Sequence, residues 1–483
     1  MLDWNFIAGL IATVAFDIIY FGAIIGTITV IILDNRNPVK TMAWILVLMF
    51  LPVVGLVFYF FFGRSQRRVR VIGKKSYNRL LKKPMAEYLA QDSCALPANY
   101  GRLISLFRNT NQAFPFDGNR VEVYTRGLSM IQSLLRELQK ATGHIHMEFY
   151  IFEDDAIGRM VRDVLMEKAK QGVEVRVIYD DVGCWHVPNR FYEQMREAGV
   201  EVRSFLKVRF PLFTSKVNYR NHRKLAIIDG KIGYIGGFNV GDEYLGIVNR
   251  YGPWRDTHLR FQGDAVDQMQ MRFIMDWNFT AKFGLIHLGE KYFPKKEQQI
   301  KGVRTQIVSS GPDTQWKNIR NGYFKMINEA ESNVFLTTPY FVPDDGIFEA
   351  LRVAALSGLD VRIIIPGNPD HFFVYWASMS YLGELLEAGV RVYQYEKGFI
   401  HAKVLTIDGT VSSVGSANMD IRSFDLNFEV NAFMYDAGIT KILEDDFLKD
   451  LHSSVEITKE WYRRRKWWFK VREAIARLIS PML

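Results

Sequence analysis

The stretch FIHAKVLTIDGTVSSVGSAN, at residues 399–418, places a His and a Lys two positions apart among apolar residues that favour a β-strand. The same spacing of His, Lys, Asp, Gly and Asn occurs at residues 221–239, in NHRKLAIIDGKIGYIGGFN. Each stretch has an Asp-Gly pair between apolar runs, which is among the strongest short signals for a β-hairpin. The chain therefore carries one polar hairpin motif twice.

The segments around the two motifs follow the same alternating order of predicted strands and helices. The strand-like segments of the first copy are VEVY (121–124), HIHMEFYIF (144–152), VEVRVIYDD (173–181) and VEVRSF (200–205). Those of the second copy are VRTQIVSS (303–310), NVFLTTPYFVPDD (333–345), GLDVRIIIPG (358–367) and VRVYQYE (390–396). The alternation predicts an α/β fold with a largely parallel sheet. Its recurrence after about 180 residues predicts two homologous domains, at 119–295 and 300–483.

Side-chain alternation on a strand predicts which motif residues lie together. His222 and Lys224 are two positions apart and share a face. A two-residue turn at Asp229 pairs His222 with Gly237, and Asn239 then returns to the face of His222. Asp229 itself is predicted to lie at the turn, away from that face. The second copy is predicted to repeat this arrangement with His401, Lys403, Asp408, Ser416 and Asn418.

A His, a Lys and an Asn on one face suit a bound phosphate group. The Lys supplies positive charge, the Asn donates a hydrogen bond, and the His acts as a nucleophile or proton carrier. Attack on phosphorus and protonation of the leaving group need groups on opposite sides. We therefore predict that the two copies meet across a pseudo-twofold axis around a single phosphodiester. A buried core histidine would explain one His-x-Lys, but not the whole pattern twice.

The N-terminal region is far more apolar than the rest of the chain. Phe6–Leu33 is apolar except for Asp17, and Thr41–Phe62 has no charged residue over about the length of a bilayer core. We predict a hairpin of two transmembrane helices at residues 1–63. Asp17 is interpreted as the start of a shorter first helix, although an ionisable residue inside the membrane is the alternative.

Basic residues follow this apolar region, in GRSQRRVRVIGKK at 63–75. The positive-inside rule places that flank in the cytoplasm, so the catalytic domains are predicted on the cytoplasmic side. Residues 64–118 are predicted to be a basic connector. A cleaved signal peptide is disfavoured because the chain begins Met-Leu-Asp-Trp, without the basic start of a signal peptide, and because its apolar stretch is long.

Composition limits the partners without choosing among them. The chain has 483 residues, 48% of them hydrophobic, and a formal charge of +9. An anionic partner is favoured, but nucleic acid, anionic lipid and phosphorylated metabolites fit the charge equally well. The two cysteines, Cys94 and Cys184, are too few for a disulfide framework and lack metal-site spacing.

Both motif copies resemble the signature of the phospholipase D superfamily, H-x-K-x4-D-x6-G-x2-N, and match it at every position. The matching residues are His222, Lys224, Asp229, Gly236, Asn239, His401, Lys403, Asp408, Gly415 and Asn418. The flanking sequence is similar to that of bacterial cardiolipin synthases along nearly the whole chain. It includes NPVKTMAWILVLMFLPVVGLVFYFFFGR, GGFNVGDEYLG, WRDTHLRFQG and GSANMDIRSFDLNFEV.

The resemblance implies an enzyme of the bacterial cell membrane that joins two phosphatidylglycerol molecules into cardiolipin and releases glycerol, without metal or organic cofactor. One His forms a phosphatidyl-histidine intermediate while the other protonates the departing glycerol. We assign His222 as nucleophile and His401 as general acid/base, although the two motifs are equivalent in sequence. The resemblance also implies catalytic roles for Lys224, Asp229, Lys403 and Asp408, and phosphate-binding roles for Asn239 and Asn418.

A nucleophilic imidazole needs an acceptor, commonly a carboxylate, at its other nitrogen. Asp256 and Glu429 each lie on the strand-like segment that follows one motif, at about the positions of supporting carboxylates in the family. We predict that Asp256 orients His222 and that Glu429 orients His401. Ordinary surface carboxylates are the alternative.

Two segments are candidates for contact with anionic bilayer lipid. FLKVRFPLFTSK (205–216) and KEWYRRRKWWFKVREAIARLI (459–479) both interleave aromatic or aliphatic residues with basic ones. A helix that packs its aromatics on the core is the alternative for the second segment. Single-stranded nucleic acid would also suit such a pattern.

Three other functions remain open. A phospholipase D that uses water, or a synthase that uses another alcohol, would carry identical motifs. A nucleic-acid enzyme is disfavoured by the two apolar segments and by the lack of a recognisable nucleic-acid module. A catalytically inactive scaffold is disfavoured because every motif residue is present. The sequence leaves the oligomeric state open.

Overall fold

The computed structural model describes residues 4–33, 38–59, 100–208, 215–246, 252–280, 284–287, 289–294 and 302–480. The predicted basic flank and most of the predicted connector lie outside these residues. So does the middle of the predicted lipid-contacting segment at 205–216. The N-terminal helices form one compact unit, and most of the chain after them forms another.

The first helix of the N-terminal unit, α1 (Trp4–Leu33), is continuous. Its hydroxyl-bearing Thr13, Thr27 and Thr29 donate to main-chain carbonyls four residues earlier, so no polar partner outside the helix is needed. Asp17 lies in the middle of α1. The interpretation of Asp17 as the start of a shorter helix is therefore wrong.

The second apolar segment is interrupted. It forms α2 (Pro38–Phe50) and α3 (Pro52–Phe58), with Leu51 between them in a non-helical conformation. Proline has no N–H to donate and its ring clashes with the preceding turn, so a straight helix across Pro52 is disfavoured. In the part of the chain that the structure describes, only Gly9–Leu33 is helical, long and apolar enough to cross a membrane.

The second unit alternates helices and strands. Its helices are α4 (Gly101–Asn111), α5 (Gly127–Lys140), α6 (Ala156–Lys170), α7 (Asn189–Glu197), α8 (Ala265–Thr280), α9 (Asn318–Glu329), α10 (Asp345–Leu356), α11 (Phe372–Ala388), α12 (Ile421–Asp425), α13 (Ala437–Leu451), α14 (Lys459–Arg464) and α15 (Trp467–Ile479). The strands before residue 300 are β1 (Phe116–Arg126), β2 (His144–Phe149), β3 (Glu174–Asp180), β4 (Glu201–Phe205), β5 (Leu225–Ile228), β6 (Ile232–Gly236) and β7 (Trp254–Gln262). Those after it are β8 (Val303–Ser310), β9 (Asn333–Thr337), β10 (Phe341–Val342), β11 (Asp360–Pro366), β12 (Arg391–Tyr395), β13 (Phe399–Ile400), β14 (Val404–Ile407), β15 (Val411–Gly415), β16 (Met419–Asp420), β17 (Glu429–Tyr435) and β18 (Ser454–Ile457).

One continuous sheet runs through both motif copies. Its strand order is β18-β12-β11-β9-β14-β15-β17-β8-β1-β7-β6-β5-β2-β3-β4. Read outward from the central β8–β1 pair, the two halves have corresponding strands in the same order. This symmetry agrees with the duplication inferred from sequence. The exact domain boundaries, 119–295 and 300–483, stay a prediction.

The prediction of a largely parallel sheet is wrong. In the first half, β2, β3 and β4 run parallel, whereas β2–β5, β5–β6, β6–β7 and β7–β1 are antiparallel. The second half repeats this mixture. The motif hairpin explains the difference, because its two strands must run antiparallel and it is inserted beside the parallel βα units.

The predicted Asp-Gly turns are confirmed, but the predicted strand register is wrong by one residue. Asp229 and Gly230 both have positive φ, and the Lys231 N–H donates to the Ile228 carbonyl (3.0 Å). Ile228 nevertheless pairs with Ile232, so three residues rather than two separate the paired positions. The second hairpin does the same, with Ile407 paired to Val411. Both strands also begin only after the motif Lys.

Three buried clusters hold the second unit together. Two lie under the helices that follow the parallel strands, one in each half. The third combines apolar residues of both halves with α8 and α13, and includes Phe261, Phe273, Ile400 and Val430. The halves therefore share a core as well as a sheet.

Candidate active site

Each motif segment is hydrogen-bonded to the beginning of the long strand of the other half. The His222 N–H donates to the Phe428 carbonyl (3.0 Å), and the His401 N–H donates to the Arg255 carbonyl (2.7 Å). Strand β13, directly before His401, pairs in parallel with the start of β7. Asn221 forms the corresponding parallel bridge with Phe428. The residue after each acceptor, Asp256 or Glu429, therefore lies beside the histidine of the opposite copy.

The predicted carboxylate partners are consequently exchanged. His222 Nδ1 lies 3.0 Å from both carboxylate oxygens of Glu429, and His401 Nδ1 lies 2.6 Å from Asp256 Oδ2. The predictions that Asp256 orients His222 and that Glu429 orients His401 are wrong. A carboxylate only accepts, so His222 Nδ1 carries the hydrogen and its Nε2 keeps the lone pair. His401 Nδ1 lies 2.9 Å from Lys403 Nζ as well, and its shorter contact to Asp256 assigns the hydrogen to Nδ1 there too.

Both carboxylates are fully buried and ionised. Burial alone raises the pKa of Glu429, but His222 and Lys224 outweigh it and the pKa is lowered. The pKa of Asp256 is likewise lowered because Lys403 and His401 outweigh burial. Each carboxylate has a further donor: Ser416 Oγ lies 2.5 Å from Glu429 Oε2, and the Thr257 N–H lies 2.7 Å from Asp256 Oδ1.

The two imidazoles are neutral at neutral pH. Burial lowers the pKa of His222 to about 4, with Lys224 adding to the shift and Glu429 opposing it. Burial and the Lys403 charge lower the pKa of His401 to about 4, and Asp256 opposes them. A neutral imidazole with a free Nε2 is the nucleophilic form of the side chain.

The two motif lysines are buried beneath the histidines. Lys224 Nζ donates to the main-chain carbonyl of His222 (2.8 Å), and Lys403 makes the same bond to His401. Burial lowers the pKa of Lys224 to about 7 and that of Lys403 to about 8, because few groups replace the lost water. Neither lysine lines the cavity that the two histidines share, so each acts on it through a buried charge behind its histidine.

Both histidines and both motif asparagines line one cavity of about 540 Å³. Asn239 is engaged by the protein: its Oδ1 accepts from the Ile151 N–H (3.2 Å) and its Nδ2 donates to Tyr244 Oη (3.0 Å). Asn418 Oδ1, in contrast, has no hydrogen-bond partner among the described residues. The cavity therefore holds two similar but unequal half-sites.

Asp229 and Asp408, candidate catalytic residues by motif, do not line this cavity. Asp229 accepts from the N–H groups of Thr142, Gly143 and His144 at 2.7–2.9 Å. Asp408 accepts from the N–H groups of residues 331–333 at 2.8–3.1 Å. Both carboxylates tie a hairpin turn to the start of a neighbouring strand, which is the turn role that the hairpin pattern predicts.

Several residues of the cavity were not identified from sequence. Two rings pack against the histidines: Tyr150 lies 5.1 Å from the His222 ring and Trp254 lies 5.1 Å from the His401 ring, between centroids. The other polar residues that line the cavity are Arg220, Glu243, Tyr244, Tyr340, Asp370, His371, Asp420, Arg422, Asn427 and Ser480. Tyr150 and Tyr340 occupy matching positions in YIFEDD and YFVPDD, a repeat that could have identified them.

Comparison with known proteins agrees with this site. A sequence profile described as "Cardiolipin synthase, PLD-like domain" matches residues 134–250 and 323–451, so it covers both motif copies. A second profile, described as "Phospholipase_D-nuclease N-terminal", matches residues 18–64.

Among curated proteins, the chain is 44% identical to the major cardiolipin synthase ClsA of Bacillus subtilis strain 168, over 98% of this chain and 100% of that protein. It is 43% identical to a cardiolipin synthase of Oceanobacillus iheyensis, over 94% and 96% of the two chains. The crystal structure of phosphatidylserine synthase from Haemophilus influenzae superposes with a TM-score of 0.61 at 13% identity. It covers 79% of this chain and 100% of that one, and shows a shared fold.

Proposed function

The chain belongs to the cardiolipin synthases of the phospholipase D superfamily, and from this membership we propose that it transfers a phosphatidyl group from one phosphatidylglycerol to another. The products are cardiolipin and glycerol. The observation that carries this proposal is the pair of crossed His–carboxylate contacts, His222–Glu429 and His401–Asp256, on one cavity. Two equivalent groups of this kind suit a double displacement at a single phosphorus.

In the first step, His222 Nε2 attacks the phosphorus of the bound phosphatidylglycerol. The P–N bond forms, the bond from phosphorus to the glycerol oxygen breaks, and His401 Nε2–H protonates that oxygen. His401 must therefore start this step protonated. A bound phosphodiester supplies the negative charge that raises its pKa from the value of the empty site.

In the second step, a glycerol hydroxyl of another phosphatidylglycerol enters beside His401, which now accepts its proton. The new P–O bond forms while the P–N bond to His222 breaks, and both histidines return to their starting forms. Asn418 Oδ1, which lines this side of the cavity, is able to accept a hydrogen bond from such a hydroxyl. No outside oxidant or energy source enters this balance.

The remaining motif residues stabilise charge on the substrate or hold the reacting groups in position. Lys224 and Lys403 stabilise the negative charge on the non-bridging oxygens as it grows in each transition state. Asn239 and Asn418 position the phosphate, and Glu429 and Asp256 stabilise the imidazolium form and hold each ring. Asp229 and Asp408 contribute through the fold of their hairpins.

The membrane arrangement follows from the same proposal. We infer two N-terminal spans, the first in α1 and the second formed by α2 and α3 despite the break at Pro52. The catalytic domains then lie on the cytoplasmic side, where phosphatidylglycerol and other anionic lipids of the bilayer are the partners. The basic residues after the second span support this orientation.

The alternative is a phospholipase D, or a synthase that uses another alcohol. One experiment separates these activities. Purified full-length protein in phosphatidylglycerol vesicles, without added metal or nucleotide, is expected to produce cardiolipin and glycerol in equal amounts. Phosphatidic acid as the main product would indicate hydrolysis instead, and a requirement for a CDP-activated lipid would contradict the proposed transesterification.

A further inference from the structure

The C-terminal helix α15 exposes most of its large apolar side chains to solvent, whereas a helix of a soluble protein usually buries them. Trp467, Val471, Ile475 and Leu478 recur every three or four residues and are 71%, 44%, 50% and 82% exposed. Trp468, beside them, is 41% exposed. At about 100° per residue these five side chains fall within an arc of about 100°.

The opposite side of α15 is buried and includes the acidic side chain of the helix. Glu473, Ala476 and Ser480 are at most 4% exposed. Glu473 accepts from Arg465 (3.1 Å to Nη2), and Ser480 Oγ lies 3.4 Å from Tyr381 Oη on α11. The alternative, in which this segment packs its aromatics on the core, therefore does not hold for the two tryptophans of the helix. Phe469, on the flank, meets Trp376 of α11 at 5.3 Å between ring centroids.

The exposed charges that α15 itself carries have one sign, although Arg477 lies 3.9 Å from Glu384 of α11. Glu473 is the only acidic residue in α15, and it is turned inward and paired with Arg465. Lys470 and Arg472 lie on either side of the exposed arc, and Lys466 precedes the helix. The charges that α15 presents to solvent are therefore basic. An apolar arc with Trp residues, bordered by basic side chains, suits a surface that is apolar inside and anionic at its boundary.

Helices α11 and α15, which pack on each other, both reach the cavity of the active site. Ser480, directly after α15, and Val374 of α11 both line the cavity that holds His222 and His401. The first residues of α11, Phe372 and Phe373, are 66% and 61% exposed. An apolar surface that touches lipid here would place bilayer next to the wall of the cavity.

We propose that the exposed apolar face of α15 docks the catalytic unit on an anionic bilayer surface. The partner of this face is a phosphatidylglycerol membrane. Its headgroup and upper acyl region receive five side chains, those of Trp467, Trp468, Val471, Ile475 and Leu478. This inference rests on the proposed function for the identity of the lipid. The exposed apolar face itself is observed independently of any catalytic activity. Docking at this face shortens the path by which a second lipid substrate reaches the cavity.

The first test measures depth in the membrane with the full-length chain. Leu478→Cys and, as a matched control, Leu356→Cys are made in a Cys94→Ser background and labelled with an environment-sensitive fluorophore. Leu356 is also an exposed leucine (64%) but ends α10, away from the proposed face, and the remaining Cys184 is buried. In phosphatidylglycerol vesicles the label at 478 is expected to be quenched by spin-labelled lipid about threefold or more above the label at 356.

Equal quenching at the two positions would overturn the proposal. A different result would be a label at 478 that is shielded from water to a degree that increases with protein density and does not respond to spin-labelled lipid. That result would also overturn the proposal, because it would show that a second copy of the chain covers this face. Both quenching measurements are made without measuring enzyme turnover. If the wild type is docked yet makes no cardiolipin, the proposed function fails and the docking surface stands.

The second test links docking to lipid supply. The variant Trp467→Ser/Trp468→Ser/Leu478→Ser is expected to make cardiolipin about tenfold more slowly from sparse phosphatidylglycerol in vesicles, because surface contact is weakened. With short-chain phosphatidylglycerol below its micelle concentration, its rate should stay within about twofold of wild type. An equal loss on both substrates would assign α15 to the integrity of the site and overturn the proposal, as would unchanged rates on both.

Discussion

The two half-sites of the cavity share one motif but differ in what supports it. On the first side, the His222 ring is held by the long side chain of Glu429, to which Ser416 also donates. On the second side, the His401 ring is held by the shorter Asp256, and Gly237 stands where the other copy has Ser416. The duplicated chain has kept the reacting groups and varied the groups that orient them. This difference allows the two histidines to take unequal roles.

The largest expected effect comes from the histidines themselves. His222→Ala and His401→Ala should each reduce cardiolipin synthesis by about 10⁴-fold or more, because each removes a group that makes or breaks a bond. A phosphatidyl ester of p-nitrophenol separates the two, since its leaving group needs no proton. His401→Ala should release a burst of p-nitrophenol and retain a phosphatidyl group on His222, detected by peptide mass spectrometry. A burst in His222→Ala instead would reverse the assignment.

The carboxylates test the crossing between the halves. Glu429→Gln and Asp256→Asn should each lower turnover by about 10³-fold, because the amide no longer stabilises the imidazolium form. With the p-nitrophenyl ester, Glu429→Gln should slow the burst that depends on His222. Asp256→Asn should keep the burst and slow the later transfer to alcohol. The reverse pattern would contradict the crossed contacts.

Exchanging the small residues beside the carboxylates sharpens the comparison. A side chain at position 237 would lie 2.0 Å from Asp256 Oδ1, so Gly237→Ser should push this carboxylate away from His401 and lower turnover by about 10²-fold. Ser416→Gly loses one hydrogen bond to Glu429 and should cost about fivefold. Steady-state kinetics with folding checked by circular dichroism measures both. Equal effects would mean that the two sides are supported alike.

The pH dependence should separate lysines from histidines. With the p-nitrophenyl ester, whose leaving group needs no proton from His401, kcat/KM should fall as pH falls through about 4, because His222 gains a proton and loses its nucleophilic lone pair. As pH rises through about 7 and then about 8, Lys224 and Lys403 lose their protons and their attraction for phosphate, so kcat/KM should fall again. Lys224→Met should have lower activity and an alkaline limb displaced toward the Lys403 value. An unchanged alkaline limb would mean that Lys224 does not produce it.

The smallest effect on catalysis is expected at the two turns. Asp229→Asn and Asp408→Asn weaken the acceptors of several main-chain N–H groups, which should destabilise the protein by about 1–3 kcal/mol. Below the unfolding transition, kcat should stay within about threefold of wild type, because each carboxylate binds main-chain N–H groups at a hairpin turn and contacts neither His222 nor His401. Thermal unfolding and activity measured on the same samples check this. A loss of kcat comparable to that of Lys224→Met would indicate a direct catalytic role.

Local patterns were sufficient to predict much of this molecule. The repeated spacing around His222 and His401 identified the duplication, the hairpins, and the two histidines and two asparagines that share the cavity, because repetition and turn chemistry are visible in sequence. Asp229 was correctly expected at a turn for the same reason. The mixed strand directions were missed because apolar periodicity does not report whether neighbouring strands run parallel.

The crossed carboxylates required the structure. Asp256 is close to His222 in sequence and Glu429 is close to His401, so proximity along the chain favoured the wrong pairs. The correct pairs depend on hydrogen bonds between segments of different halves, such as His401 N–H to the Arg255 carbonyl. The outward face of α15 was also undecided by sequence, because an amphipathic pattern does not state which side meets the core.

The crossing also has a consequence during protein synthesis. The chain emerges from the ribosome with its N-terminus first, so the His222 motif is complete about 200 residues before Glu429 exists. Until β17 is made and paired, the His222 ring has no carboxylate to hold its tautomer. A partly made chain at the membrane therefore lacks the group that holds this histidine in its nucleophilic form. The reactive histidine becomes competent only when nearly the whole chain has folded.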